Sequence, residues 1–227
     1  MEDKNWSYEG ATRPDHWGKL DPAYRACALG CRQSPIDIRE PAPAALAPLE
    51  PDYQPVPVRL CDTGHSIQQD FPAGSILRIG NEEWEPLQFH FHAPSEHALE
   101  GELTDLEMHV VHRNPGWDNL LVLGILFEEG EANPVLEELW RHLPGESAGP
   151  APDDFDLGRL LPGDLSHFSY DGSLTTPPCT EGVQWRVLRK VLPISLDQLV
   201  RFQKLYTGNN RPVQALNGRI VQVSAKK

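Results

Sequence analysis

The longest uninterrupted apolar run in the chain extends from Leu120 to Phe127, within the segment NLLVLGILF. This run lacks the alternation of a half-exposed strand and suits a strand that is buried on both faces. Such a strand belongs in the middle of a large sheet. The run is also far shorter than the roughly 20 apolar residues that cross a bilayer, so it predicts no membrane span.

Five further segments indicate strands, because they alternate or are rich in β-branched and aromatic residues, with Gly, Pro and Asn between them. They are SILRIG, EWEPLQFHFH, LEMHVVHR, HFSYDGSL and VQWRVLRKVL. Two helices are also predicted. One begins at Asn133-Pro134 and ends before Pro144, and the other occupies SLDQLVRFQKL, where Ser195 and Gln198 have capping-box spacing. The chain is therefore expected to be mainly β, with a few peripheral helices.

The composition is that of an ordinary globular protein, and the net charge disfavours one class of partner. The 227 residues, 39% hydrophobic and 23% charged, are enough for one large domain or two small ones. Proline is concentrated in residues 41–57 and 144–152, which indicates extended surface loops or a linker. Neither stretch separates two self-sufficient cores, so a single domain over residues 1–227 is expected. The net charge of −13 argues against a nucleic-acid partner.

The cysteines and the first residues leave the cellular compartment open. Four cysteines allow three full pairings, and their spacing does not choose among Cys27, Cys31, Cys61 and Cys179. Reduced, buried thiols are an equal alternative. The first ten residues, MEDKNWSYEG, contain no apolar stretch, so no signal peptide is expected in this chain.

The segment QFHFHAPSEH (88–97) contains two histidines separated by one residue. In a strand, His90 and His92 point to one face together with Gln88, while Phe89 and Phe91 point to the other. Two imidazoles on one strand face can bind the same metal ion. Taken alone, however, the segment favours a half-buried strand with phenylalanine inward and polar histidine outward.

A second strand adds a third histidine. In LEMHVVHR (106–113), Glu107 and His109 share one face. If this strand lies beside QFHFHA in the sheet, His109 meets His90 and His92. Three imidazoles with one open position are typical of a catalytic zinc site, and the chain has no CxxC spacing that would support a structural one.

Two residues on the same strand faces strengthen the metal interpretation. A zinc-bound histidine normally donates its second N–H to a carboxylate, an amide or a carbonyl group. Gln88 lies two residues before His90, and Glu107 lies two residues before His109. Both residue types also suit an exposed strand face, but with three histidines in phase the metal hypothesis is the stronger one.

Further motifs carry a resemblance that spans nearly the whole chain. The chain resembles the α-class carbonic anhydrases, particularly the bacterial type. The matching stretches occur in the family's order and are WSYEG (6–10), QSPIDI (33–38), GHSIQ (64–68), QFHFHAPSEH (88–97), EMHVVH (107–112), LLVLGILF (120–127), SLTTPP (173–178), VQW (183–185) and NNRPVQ (209–214). The resemblance implies one domain around a large, mostly antiparallel, twisted sheet, with zinc at the bottom of a conical cleft.

By this resemblance the chain is expected to be a zinc lyase that reversibly hydrates CO2 to bicarbonate and a proton. His90, His92 and His109 match the family's zinc ligands, and Gln88 and Glu107 match the residues that support them. In this family zinc lowers the pKa of its bound water to about 7, a value known for these enzymes, so that hydroxide is available to attack CO2 at neutral pH.

The resemblance also assigns roles around the zinc. Thr175 of SLTTPP matches the residue that orients the hydroxide, and Glu96 matches the carboxylate partner of that threonine. His97 matches a position with internal hydrogen bonds, and His65 matches the histidine that carries the proton to solvent. Polar residues that match the water path are Tyr8, Thr63 and Gln68. Apolar residues that match the CO2 pocket, and that core packing explains equally well, are Val111, Val122, Leu174, Val183 and Trp185.

The stretch before the shuttle histidine departs from the family pattern. Asp62-Thr63 precedes Gly64-His65, where the family often has two asparagines. Thr63 is still able to order water, whereas Asp62 adds a charge beside the shuttle.

The cysteines depart from the family pattern in part. Bacterial members commonly pair two cysteines at the positions of Cys27 and Cys179, which implies this disulfide and leaves Cys31 and Cys61 extra. Closing a loop of about 150 residues stabilises a fold by about 4–5 kcal/mol in the chain-entropy model. The implied disulfide would also anchor the loop that carries Thr175, and it points to a periplasmic or secreted protein.

Two other function classes compete with the lyase. A carbonic-anhydrase-related binding protein typically lacks a zinc ligand, and none is missing here. A dedicated zinc esterase is disfavoured because no GxSxG signature is present, although an esterase side activity is expected. The partners that the resemblance implies are CO2 and bicarbonate, anion and sulfonamide inhibitors, and a second copy in a homodimer, with no membrane and no nucleic acid.

Overall fold

The computed structural model describes residues 6–117, 119–145 and 154–225. The first five residues of MEDKNWSYEG, and residues 146–152 of the second proline-rich stretch, lie outside this part of the chain. The expectations for those residues therefore stay predictions. Within the described ranges, no helix is both long enough and apolar enough to cross a membrane.

Seventeen strands lie in the described residues, and most of them are short. The first nine are β1 (Asp37–Ile38), β2 (Ala42–Pro43), β3 (Leu49–Asp52), β4 (Val56–Pro57), β5 (Cys61–Asp62), β6 (Ile67–Asp70), β7 (Ile76–Ile79), β8 (Glu82–His92) and β9 (Ala98–Leu99). The other eight are β10 (Glu102–Leu103), β11 (Leu106–Arg113), β12 (Leu120–Glu129), β13 (Asp154–Phe155), β14 (His167–Ser173), β15 (Glu181–Leu188), β16 (Leu192–Ile194) and β17 (Gln222–Val223).

Short helices surround these strands. The α-helices are α1 (Trp17–Leu20), α2 (Ala26–Leu29), α3 (Pro134–Trp140), α4 (Leu157–Leu160) and α5 (Leu196–Gln203). Single 3-10 turns occur at Gly10–Thr12, Pro14–His16 and Pro22–Tyr24. The fold is mainly β with few helices, as the sequence predicts.

A sheet of twelve strands forms the centre of the structure. Its main order is β2-β17-β14-β15-β12-β11-β8-β6-β5, with β16 beside β12, and with β7 joining β8 to β3. Most neighbours are antiparallel, including β8 with β11 and β11 with β12, whereas β12 runs parallel to β15 and β16. The strands that carry the three histidines are therefore adjacent.

The apolar run occupies the middle of this sheet. In β12, every residue from Leu121 to Phe127 is buried. Its odd-numbered side chains, such as Leu123, contribute to a large core together with Phe89 and Phe91. Its even-numbered side chains, such as Val122, face a second apolar cluster on the other side of the sheet. The prediction of a central strand buried on both faces is confirmed.

Both predicted helices are present, with ends set by local hydrogen bonds. The Asn133 side chain accepts the N–H groups of Val135 and Leu136, so α3 begins where the sequence predicts. This helix ends at Trp140, earlier than the predicted stop before Pro144. In α5, the predicted capping box of Ser195 and Gln198 forms in both directions.

The first proline-rich stretch is more ordered than an extended surface loop or a linker. Residues 41–57 contain the short strands β2, β3 and β4, and Leu49 of β3 pairs with Ile79 of β7. These strands pair with only a few residues, at or beyond the ends of the sheet. Proline is tolerated at such edge positions because its missing N–H need not serve a neighbouring strand.

Candidate metal centre

Three histidine side chains meet on one face of the two adjacent strands β8 and β11. His109 lies opposite His90 in the antiparallel register, and Glu107 lies opposite His92. One ring nitrogen from each histidine lies within 4.8 Å of those of the other two. The ring centroids are separated by 5.0 Å for His90–His92, 5.3 Å for His90–His109 and 4.6 Å for His92–His109.

Each histidine ring is oriented by a different hydrogen-bond acceptor. His90 donates its Nδ1–H to Oε1 of Gln88 at 2.8 Å, and His109 donates its Nε2–H to Oε1 of Glu107 at 2.8 Å. His92 donates its Nδ1–H to the backbone carbonyl of Asn209 at 2.7 Å. These bonds leave one lone pair on each ring, at Nε2 of His90, Nε2 of His92 and Nδ1 of His109.

The remaining nitrogens fit a zinc ion. The Nε2 atom of His92 is buried and has no hydrogen-bond partner among the residues that the structure describes. Burial also lowers the pKa of His90 well below its usual range, lowers that of His92 to about 4 and lowers that of His109. Three neutral imidazoles with oriented lone pairs are the ligand set typical of a catalytic zinc site that keeps its fourth position open, so these residues could hold a zinc ion.

Glu107, which orients His109, also accepts hydrogen bonds from neighbouring residues of the site. Besides the bond to His109, its carboxylate accepts the Nδ1–H of His97 at 2.7 Å and the backbone N–H groups of Glu96 and His97, each at 2.8 Å. Burial by itself raises the pKa of Glu107, but its interactions with His97 and His109, including the hydrogen bonds that it accepts from both rings, outweigh this effect and hold the pKa well below its usual range. His97 continues the network, because its Nε2 lies 2.7 Å from the Tyr170 hydroxyl.

Gly124 leaves room for this carboxylate. It lies opposite His109 in the register of β11 and β12. A Cβ atom at this position would lie 3.0 Å from Oε1 of Glu107 and 3.4 Å from the Val187 side chain. A side chain here would therefore press on the atom that orients His109.

Replacing Gly124 by alanine is expected to weaken zinc binding by up to about tenfold. Loss of a residue that supports a metal ligand costs about 10–100-fold in affinity, and this change displaces the Glu107 carboxylate without removing it. Competition with a chelator measures the effect. Gly163→Ala is the matched control, because a Cβ at Gly163 meets nothing within 4 Å. Equal zinc affinity in both variants would show that Glu107 tolerates the added methyl group.

Glu96 lies beside two of the three clustered histidines. Its Oε1 accepts the backbone N–H of Arg211 at 2.7 Å, and its Oε2 lies 3.6 Å from Nε2 of His92 and 3.9 Å from Nδ1 of His109. Burial raises the pKa of Glu96 to about 7, while His109, the Arg211 N–H and the side chain of Thr175 act in the opposite direction. The structure therefore brings Glu96 and Thr175 into one buried group next to the three histidines.

A cleft of about 300 Å³ opens above the histidines. Its lining includes His90 and His92, together with the predicted polar residues Tyr8, Thr63, His65 and Gln68. The His65 ring stacks on Trp6 with centroids 3.7 Å apart and an interplanar angle of 10°. Trp6 begins the WSYEG motif, but its contact with His65 was not predicted from the sequence.

The five predicted pocket residues share the second apolar cluster. Val111, Val122, Val183 and Trp185 are buried there, and Leu174 is partly buried against them. The Trp185 ring also packs edge-on against His109, with centroids 4.9 Å apart. An apolar wall therefore borders His109 on the side of β12 and β15.

Cys27 and Cys179 form a disulfide, which confirms the pairing implied by the resemblance. Cys31 and Cys61 are exposed thiols. The bond joins α2 to the loop that follows Thr175. In this loop the N–H of Cys179 donates to the carbonyl of Thr176 at 2.9 Å.

The geometry has the donor set of a mononuclear zinc enzyme, and comparison with known proteins identifies the family. The profile described as eukaryotic-type carbonic anhydrase matches residues 12–225. A carbonic anhydrase of Pectobacterium carotovorum is 40% identical over 96% of this chain and 90% of its own length. A carbonic anhydrase of Klebsiella pneumoniae is also 40% identical, over the same shares of the two chains.

A solved structure agrees with this match. The α-carbonic anhydrase of Thermovibrio ammonificans, in complex with the inhibitor sulfanilamide, superimposes with a TM-score of 0.90 at 39% identity, covering 96% of this chain and 98% of that one. The chain therefore belongs to the eukaryotic-type, or α-class, carbonic anhydrase family. The general function of this family is CO2 hydration, and the protein is accordingly an enzyme of the carbonate dehydratase type, a lyase.

Proposed function

We propose that this chain hydrates CO2 reversibly at a zinc ion held by His90, His92 and His109, and that His65 exports the proton. The observation that carries the proposal is the convergence of three ring nitrogens, each oriented by a separate acceptor. When bound at these nitrogens, zinc supplies a Lewis acid that generates an oxygen nucleophile from water at neutral pH.

Thr175 and Glu96 orient the nucleophile. Glu96 is buried, and the Arg211 N–H fixes its Oε1. In this proposal the Glu96 carboxylate accepts the Thr175 hydroxyl in a hydrogen bond, which is one of the interactions that oppose the rise of its pKa on burial. The Thr175 oxygen is then left as an acceptor toward the cleft. A nucleophile that donates its hydrogen to this oxygen directs its lone pair at the substrate, which is a positioning effect.

The apolar wall receives the substrate. CO2 carries no net charge and no hydrogen-bond donor, so it binds favourably to an apolar surface. Val111, Val122, Leu174, Val183 and Trp185 provide such a surface beside His109. Bicarbonate is charged and prefers water, so the same surface favours its release.

His65 carries the proton from the cleft to bulk solvent. Its ring lies in the cleft with Tyr8, Thr63 and Gln68, whose polar groups are suited to ordering the connecting water. Histidine titrates near neutral pH, so it both accepts and releases a proton under working conditions.

Replacing His65 by alanine is expected to lower kcat about 10–100-fold at low buffer concentration, which is the lower part of the range for loss of a general acid or base. The kcat/KM for CO2 stays unchanged, and added imidazole restores kcat. Stopped-flow measurement of CO2 hydration at low and at high buffer concentration, on the variant and on the parent enzyme, tests this prediction. His16→Ala is the control, since His16 is not a cleft residue. Unchanged turnover at low buffer would exclude His65 as the shuttle.

Several wider properties complete the proposal. The Cys27–Cys179 disulfide supports a periplasmic or secreted location, because such bonds persist in oxidising compartments. By analogy with the sulfanilamide complex of the Thermovibrio enzyme, sulfonamides and small anions are expected to inhibit at the same cleft. One catalytic domain over residues 1–227, a homodimer and an esterase side activity are further predictions.

A further inference from the structure

His65 is carried by a short loop, residues 62–66, which is here called the shuttle loop. A carboxylate oxygen at its beginning has two hydrogen-bond donors. Oδ1 of Asp62 accepts the backbone N–H of Gly64 at 2.7 Å, and it also accepts the hydroxyl of Tyr206. One oxygen thus joins the backbone of the loop to a residue that is distant in sequence.

Tyr206 belongs to a segment that also contacts one of the three proposed metal ligands, His92. In residues 206–209, here called the strut, the Asn209 side chain donates to the carbonyls of His65 and Phe91, each at 3.0 Å. The carbonyl of Asn209 accepts the Nδ1–H of His92 at 2.7 Å. The strut therefore contacts the shuttle loop at Asp62 and at His65, and it contacts the ligand strand β8 at His92.

The position of Tyr206 is itself fixed by the core. Its backbone N–H donates to the carbonyl of Phe202 at 3.1 Å, and its ring packs near the Phe202 ring at the end of α5. Burial and the neighbouring Asp62 raise the pKa of the Tyr206 hydroxyl, so this group keeps its proton and donates it. The shuttle loop, by contrast, connects β5 to β6 and contains Gly64 at a φ of +79°, and only its first residue, Asp62, belongs to a strand.

We propose that Tyr206 is a positioning residue for proton export, which holds the shuttle loop and its His65 in register with the metal ligands through Asp62. This inference rests on the proposed shuttle role of His65. Proton transfer requires hydrogen-bond reach, directly or through water, so a loop that drifts by a fraction of an ångström transfers protons more slowly. The proposed hydration step depends on the histidines, Thr175, Glu96 and the apolar wall that receives CO2, and it does not depend on the loop.

The central test is Tyr206→Phe, which removes the donor hydroxyl and keeps the packing ring. We expect kcat at low buffer concentration to fall about 3–10-fold. This is less than the roughly 100-fold loss of rate that a 1 Å displacement of a catalytic group can cause, because the loop keeps its other contacts. The kcat/KM for CO2 stays unchanged, and imidazole restores kcat because it bypasses the loop. Tyr53→Phe is the matched control, because it removes a buried hydroxyl that contacts His112 away from the cleft. We expect this variant to show no fall of kcat at low buffer concentration relative to kcat/KM.

Variants of the exposed Asp62 test the same contact from the other side. Asp62→Ala removes the acceptor of both the Tyr206 hydroxyl and the Gly64 N–H, so it is expected to lower kcat at least as far as Tyr206→Phe does. The double variant is expected to lose no more than Asp62→Ala alone, because the contact with Tyr206 is already broken there. Asp62→Asn keeps an acceptor oxygen for both donors and is expected to stay within about twofold of the parent. An Asp62→Asn rate as low as that of Asp62→Ala would assign the effect to charge and contradict the proposed positioning contact.

The remaining outcomes separate this inference from the proposed function. Parent-like kcat in Tyr206→Phe, together with a slow His65→Ala variant, would overturn the role of Tyr206 alone. A parallel fall of kcat and kcat/KM, with a lower melting temperature, would make Tyr206 merely structural and would also overturn it. If the parent enzyme hydrates CO2 without any buffer dependence, the shuttle role of His65 fails instead.

Discussion

Replacing His109 by alanine is expected to abolish tight zinc binding and to lower CO2 hydration to below about 1% of the parent value. Changing a residue that merely supports a metal ligand costs about 10–100-fold in affinity, so removing one of three ligands costs more. His109 is buried between its Glu107 support and the two other ligands. Metal analysis after dialysis and stopped-flow hydration measure the two effects.

His112→Ala is the matched control for this experiment. His112 lies on the same strand, β11, but points to the opposite face, where its Nε2 lies 2.8 Å from the Tyr53 hydroxyl. This change leaves a buried hydroxyl without its partner, which costs about 1–3 kcal/mol of stability. We expect the variant to keep one zinc per chain. If His109→Ala also kept its zinc through dialysis, the proposed ligand set would be wrong.

Removing the Cys27–Cys179 disulfide is expected to lower the free energy of unfolding by about 4–5 kcal/mol. The bond closes a loop with a sequence separation of 152, and in the chain-entropy model a longer loop restricts the unfolded chain more strongly. It also anchors the loop after Thr175, where the Cys179 carbonyl accepts a hydrogen bond from Gln33 at 3.1 Å. Urea denaturation of a Cys27→Ser/Cys179→Ser variant without reductant measures the loss.

The two exposed cysteines provide the control. Cys31→Ser/Cys61→Ser also replaces two cysteines by serine, but at exposed positions. Surface substitutions usually change the free energy of unfolding by less than about 0.5 kcal/mol. We expect this variant to unfold at the parent urea concentration. A loss below about 1 kcal/mol in the disulfide variant would mean that native contacts, rather than loop closure, hold α2 to the Thr175 loop.

Residue periodicity was sufficient to predict the centre of the fold. The apolar run from Leu120 to Phe127 has no polar face, and burial on both sides follows from that fact alone. The caps at Asn133 and Ser195 are local, so they were also readable from the sequence. The short edge strands in residues 41–57 were not, because β3 is defined by its pairing with β7 rather than by any pattern of its own.

The same division between local and distant contacts applies to the site. Strand phase placed His90 with His92, and paired Gln88 and Glu107 with their ligands, because each relation spans two residues. The third support, the Asn209 carbonyl, lies 117 residues from His92, and any residue type could supply it. The contact between Asp62 and Tyr206 joins residues 144 positions apart in the sequence, so it could be recognised only in the folded structure.

The most direct test of the central claim is a zinc titration of the metal-free protein, followed at each step by stopped-flow CO2 hydration. We expect the hydration rate to rise in proportion to bound zinc and to stop rising at one equivalent per chain, with faster turnover at higher buffer concentration. One equivalent of zinc bound at the three histidines without CO2 hydration would contradict the proposed function and would identify the chain as a binding protein built on this fold.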